Sequence, residues 1–137
     1  MVEIVTPELA WSQLLEDKNS YLIDVRTDAE WHFVGVPDLR SAAGEIIMLS
    51  LLEFPGMQLN QSFISEFKTR FSDNLEAKFF FLCKIGARSQ KAAELAAEAG
   101  FKNAFNIVGG FEGDINDKGQ RGQISGWKFL GLPWYQN

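Results

Sequence analysis

Cys83 is the single cysteine of the 137-residue chain, and its neighbours are arranged for nucleophilic chemistry. The apolar run Phe79-Phe80-Phe81-Leu82 leads into it, Lys84-Ile85-Gly86-Ala87 separates it from Arg88, and an alanine-rich stretch with helical period follows. That order predicts a buried strand, a tight turn and a helix, with the thiol over the helix N-terminus. The first amides of a helix have no internal partner and carry partial positive charge, so they favour an anion such as a thiolate. Lys84 and Arg88 add cationic groups, and Gly86 can take the positive φ that turns loop amides inward to form an anion nest. Ser89 is placed to cap or line the helix start.

The elements that must hold this turn alternate along the chain. Val2 to Val5 reads as a short strand, and Thr6-Pro7-Glu8 as N-cap, first helical proline and first-turn acid of a helix to about Asp17. Trp11, Leu14 and Leu15 form its apolar face. Tyr21 to Val25 is continuously apolar enough for a central parallel strand. Thr27-Asp28-Ala29-Glu30 matches a capping box opening a short helix through Trp31, expected in the core, to Phe33. Glu45 to Leu49 is the third strand, and Leu51 to Leu59 reads as a loop that rims the pocket. Phe63, Phe67 and Phe71, extended by Ile64 and Leu75 and capped by Asn60, give an amphipathic helix whose aromatic stripe is core. Phe79 to Leu82 is the fourth strand and Arg88 to Ala99 a helix closed by Gly100. Ala104 to Val108 is the fifth strand, Gly109-Gly110 a sharp turn, Phe111 to about Asn116 a short helical piece, and the tail packs a last turn through Trp127 and Trp134. The pattern is a doubly wound α/β fold without repeat or linker, whose ligands sit at strand C-terminal ends.

Bulk properties narrow the function classes. A net charge of −5 supplies no basic stripe for nucleic acid. One cysteine excludes an intrachain disulfide and a Cys-x-x-Cys pair, and one cysteine with one histidine makes a poor metal ligand set, so neither metal nor other cofactor is expected. With no signal-like N-terminus and no 18-residue apolar run, a soluble cytoplasmic protein without membrane contact is expected. His32 reads as a surface residue with no catalytic mate nearby, and Lys68 and Arg70 as a solvated helix face.

Taken together, these residues resemble a single-domain rhodanese. The matching pieces are Leu22-Ile23-Asp24-Val25-Arg26 followed by Glu30-Trp31, the loop Cys83-Lys84-Ile85-Gly86-Ala87-Arg88-Ser89, Gly100-Phe101 leading through Asn106 to Gly109-Gly110, and the late Gly126-Trp127 and Gly131-Leu132-Pro133. The resemblance implies one rhodanese-like domain over 1–137, a roughly five-stranded, mostly parallel sheet with helices on both faces. It also implies a sulfurtransferase: Cys83 takes a sulfane sulfur from a small anionic donor such as thiosulfate, becomes a persulfide, and passes the sulfur to a thiol or protein acceptor. Lys84, Ile85, Gly86, Ala87, Arg88 and Ser89 form the substrate-binding loop, with Lys84 attracting the donor and Arg88 orienting the loop and holding the anion. Asp24 and Arg26 are expected as a bracing ion pair rather than reacting groups.

Two other readings stay beside this one. A rhodanese-like domain can instead serve as a non-catalytic or sulfur-carrying protein-binding module. Cys-dependent phosphatases and arsenate reductases place five residues between cysteine and arginine, whereas four stand here, a smaller cradle suited to a terminal sulfur. The segment Val34-Gly35-Val36-Pro37-Asp38-Leu39-Arg40 departs from the Gly-His-Ile-Pro-Gly-Ala of many family members, and His32 does not supply its histidine.

Overall fold

Both faces of strand β7 (Lys78–Leu82) are apolar, and this places it in the middle of the sheet. The computed structural model describes residues 2–137. Parallel neighbours of β7 are β2 (Ser20–Asp24) and β8 (Asn103–Ile107); β1 (Glu3–Val5) pairs with β8 on one edge and β4 (Glu45–Met48) with β2 on the other. The five-stranded parallel sheet therefore has the order β1-β8-β7-β2-β4. Asp24 is level with Leu82, and Asn106 with Phe81, so three strands deliver their ends to one place.

Side-chain alternation along β7 divides the core in two. Phe79 and Phe81 face helix α3 (Phe63–Phe71) and helix α4 (Ala87–Glu98), where Phe63, Phe67, Phe71, Ala92, Ala93 and Ala96 are buried. Phe80 and Leu82 face helix α1 (Pro7–Glu16) through Ala10 and Leu14, with Phe111 and Trp127 beside them. Alanines let α4 approach the sheet closely, and the four-residue phenylalanine spacing keeps one face of α3 inward.

Local signals set most boundaries. Thr6 Oγ1 accepts the Leu9 amide at 3.1 Å. The capping box of α2 (Asp28–Phe33) is complete, with Thr27 and Glu30 bonded reciprocally. Gly100, at φ 102°, follows α4.

Several expectations are corrected. Leu15 is 39% exposed, because the buried face of α1 runs through Ala10 and Leu14, four residues apart. Trp31 is only half-buried, since α2 covers no core and has no fully buried residue. Leu75 lies beyond α3 and is exposed, and Ser62 rather than Asn60 precedes the helix. Asn60 instead accepts the Ser62 amide and donates to the Ser50 carbonyl. Residues 51–59 hold a small hairpin, β5 (Leu52–Glu53) with β6 (Gln58–Leu59). The segment 111–116 is not helical: Gly109, Gly110 and Gly113 adopt positive φ, and the Phe111 and Glu112 amides donate to the carbonyls of Cys83 and Lys84. The tail adds strand β9 (Trp134–Tyr135), antiparallel to β3 (Val36–Pro37), and buries Trp127 edge-on against Trp11.

Candidate active site around Cys83

Cys83 follows the last residue of β7, and its sulfur lies where the chain turns into α4. The Gly86 amide donates to Sγ at 3.1 Å, and Ser89 Oγ stands 3.2 Å from it. Gly86 holds φ 118°, a conformation that side chains rarely adopt, so the turn needs glycine there. On the other side Gly110 packs so close that a Cβ would meet the Cys83 carbonyl oxygen at 2.5 Å. The loop is thus held by backbone from below and by its own amide from within. Ser89 is no cap, because Gly86 takes the N-cap position and no side chain caps the helix. Its hydroxyl, fully buried, turns inward to the sulfur.

Arg88 points across to α2. Its Nη1 and Nη2 donate to the two carboxylate oxygens of Glu30 at 2.7 and 2.8 Å, a bidentate pair. Burial alone would raise the Glu30 carboxyl; hydrogen bonds from Arg88 and Thr27 overcome this and hold it at about 2. The same bonds raise Arg88 against its own burial. Glu30, expected only as a capping residue, therefore does two jobs, and the cation expected to hold an anionic donor is already paired.

Asp24 and Arg26 form the bracing pair that the strand end suggested. Both are fully buried, with Arg26 Nε and Nη2 on the two Asp24 oxygens at 2.9 and 2.7 Å. Nη2 also donates to the Gly35 carbonyl, and the guanidinium lies 4.3 Å from the Phe111 ring centroid. A buried pair this enclosed organises strand ends and is strongly destabilising to break one-sidedly.

A groove of about 500 Å³ opens beside the loop between Phe33, Val34, Phe54 and Met57, with Lys84 and Arg88 on its wall. Phe54 and Met57 come from the hairpin of residues 51–59, which therefore rims the site. Phe33 is 74% and Phe54 58% exposed. Among the described residues Lys84 enters no ion pair, so its charge on the groove wall is uncommitted. Ile85 and Ala87 point outward, and His32 is exposed against Phe33. The described residues contain no cluster of His, Cys, Asp or Glu able to hold a metal, and no helix long and apolar enough to cross a membrane.

One polar residue of the site was expected only as part of the family match, with no role at the cysteine. Asn106, 6% exposed on β8, contacts Ser89, Gly86 and Gln90. The one polar residue within the expected strand Ala104 to Val108 was the available signal.

The family described as the STR4 middle domain matches residues 2–137. Protein RP600 of Rickettsia prowazekii is 38% identical over 134 residues, covering 98% of each chain. The crystal structure of Rv0390 from M. tuberculosis matches with a TM-score of 0.88 at 40% identity, over 99% of this chain and 98% of that one. Thiosulfate sulfurtransferase GlpE of Actinobacillus succinogenes is 27% identical over 129 residues, 94% of this chain and 86% of its own. Solved rhodanese-like domains of 15% and 23% identity share the fold.

Proposed function

The chain belongs to the STR4 middle-domain family and has a rhodanese-like α/β fold, and on that premise we propose that it is a single-domain sulfurtransferase working through a persulfide on Cys83. The observation that carries this is the four-residue loop from Cys83 to Arg88, with the Gly86 amide on the sulfur. The Cys83 thiolate attacks the outer sulfur of a donor such as thiosulfate. A new S–S bond forms, the donor S–S bond breaks, and sulfite leaves with the bonding pair. An acceptor thiolate then attacks the outer sulfur of the persulfide, and Cys83 departs as thiolate. Loop amides preorganised around the sulfur stabilise its charge without moving, and Lys84 draws the anionic donor to the groove. A reducing compartment such as the cytoplasm keeps the thiol available. The sulfurtransferase named among the relatives supports the reading.

A second reading is supported by the exposed Phe33, Phe54 and Met57 beside the loop: a carrier that hands sulfur to a protein docked on that apolar rim. Mass spectrometry after incubation with thiosulfate separates the two. A gain of one sulfur on Cys83, absent in Cys83→Ala, with release to small thiols supports the enzyme. An adduct that only a protein acceptor removes supports the carrier, and no adduct with any donor overturns both.

A further inference from the structure

We infer that Asn106 is a positioning residue for the Cys83 nucleophile and acts through the Ser89 hydroxyl. This rests on Cys83 being the nucleophile of the proposed transfer. The hydrogen-bond directions around Ser89 follow from donor and acceptor counting. The Gly86 carbonyl can only accept, so the Asn106 group 3.1 Å from it is the Nδ2 amine, which also donates to Gln90 Oε1 at 3.0 Å. The Asn106 oxygen then faces Ser89, 2.6 Å away, and it too can only accept. Ser89 has one hydroxyl proton. The Gly86 carbonyl, 3.1 Å from Ser89 Oγ, already receives the Gln90 amide and Asn106 Nδ2, which fill its two lone pairs. The proton therefore goes to Asn106, and Ser89 presents a lone pair to Cys83 Sγ at 3.2 Å.

The chain of donors runs one way, from the buried thiol outward to the surface. Gln90 Nε2 donates to the Glu94 carboxylate at 3.2 Å, Asn106 donates to Gln90, Ser89 donates to Asn106, and the Cys83 S–H donates to Ser89. Each step follows from the one before, and the fixed end is a carboxylate. The arrangement suits a sulfur that carries a second substituent. A bare thiolate has no proton to give, and Ser89 serves it only by turning its hydroxyl from Asn106 to Sγ, which leaves the buried Asn106 oxygen without a donor. Asn106 thus restrains the bare thiolate. The restraint relaxes in the persulfide, where the negative charge sits on the outer sulfur and Ser89 can return its proton to Asn106. On this account Asn106 sets the balance between the empty and the sulfur-loaded enzyme.

The test is alkylation of Cys83 by iodoacetamide at neutral pH, which needs no sulfur donor and so fails or succeeds independently of the sulfur transfer. Asn106→Leu, or the strand-compatible Asn106→Val, leaves the Ser89 proton to the Gly86 carbonyl, which keeps the Gln90 amide when the hydroxyl turns to Sγ; no buried acceptor is then orphaned, and alkylation is expected to speed up about 2- to 10-fold, the range of one neutral hydrogen bond. Ser89→Ala removes the link between Asn106 and the sulfur, and in that background the Asn106 substitution is expected to have no effect. A purely structural asparagine predicts slowing on its removal; slowing, or acceleration that persists without Ser89, overturns the proposal. The infrared S–H band needs no Asn106 variant and belongs to one group, since the chain has one cysteine. It is expected at lower frequency in the resting protein than in Ser89→Ala, and an unmoved band overturns the proposal equally.

Discussion

Glu30 and Arg88 stand 58 positions apart in sequence and join helix α2 to the cysteine loop through two parallel hydrogen bonds. The same carboxylate closes the capping box of α2 with Thr27. Glu30→Gln separates the roles, because glutamine still serves a capping box but carries no charge. The side chains keep 17% and 15% of their exposure, which limits the expected loss to about 1–2 kcal/mol in urea unfolding. Persulfide formation is expected to fall further than that loss explains, as Arg88 swings from its fixed position. An unchanged midpoint would show that the pair contributes nothing.

Acid should expose the same pair. The Glu30 carboxyl is held at about 2 in the fold, against an ordinary 4.5. A lowered carboxyl adds stability that is complete above the ordinary value and lost as pH falls through the folded one. Stability is therefore expected to decline from about pH 4.5 toward pH 2, with a shallower decline in Glu30→Gln. Parallel curves for the two proteins would refute the assignment.

Lys84 supplies the uncommitted charge at the groove. Lys84→Gln is expected to raise KM for thiosulfate several-fold while kcat changes little, and to flatten the dependence of kcat/KM on ionic strength. Equal loss in kcat would place Lys84 in the chemical step instead.

Phe67 is fully buried, and Phe71, Phe79 and Phe101 surround it at ring distances of 4.8 to 5.0 Å. Phe67→Ala is expected to cost about 3–5 kcal/mol by equilibrium denaturation. A cost below about 1 kcal/mol would mean that α3 is not anchored by its aromatic stripe.

Gly110→Ala tests the floor of the loop. The new Cβ would meet the Cys83 and Lys84 backbone at 2.5 Å and sit at φ 63°. Since neither neighbour is a flexible side chain, the loop start must shift, and Cys83 reactivity is expected to fall together with stability. A variant with native alkylation and melting would show the contact to be loose.

Legibility in the sequence followed the range of the cause. Phe79-Phe80-Phe81-Leu82, the Thr27 capping box and the Phe63, Phe67, Phe71 stripe each act within one element, and each was readable. The turn from Cys83 into α4 was readable because its strand end, glycine and helix start fall within seven residues. The Glu30–Arg88 pair was not, since the capping box already accounted for Glu30 and nothing local points across 58 positions. The two-residue strands β3, β9, β5 and β6 are too short to show a period, and their pairing depends on distant partners. The misread helix at 111–116 shows glycines and backbone bonds to the cysteine loop overriding a weak helical pattern.

The pairing of β9 with β3 also sets a schedule. Tyr135 is opposite Val36, Lys128 donates to the Val34 carbonyl across 94 positions, and Gly35, between those strands' attachments, accepts from Arg26. None of these contacts belongs to the five-stranded sheet, so the side of the groove formed by Phe33 and Val34 is fastened from the late chain segment. Long-range closures of this kind form late and slowly. The cysteine turn, whose backbone bonds reach only to residues 111–113, is therefore expected to close before the wall of the groove that faces it.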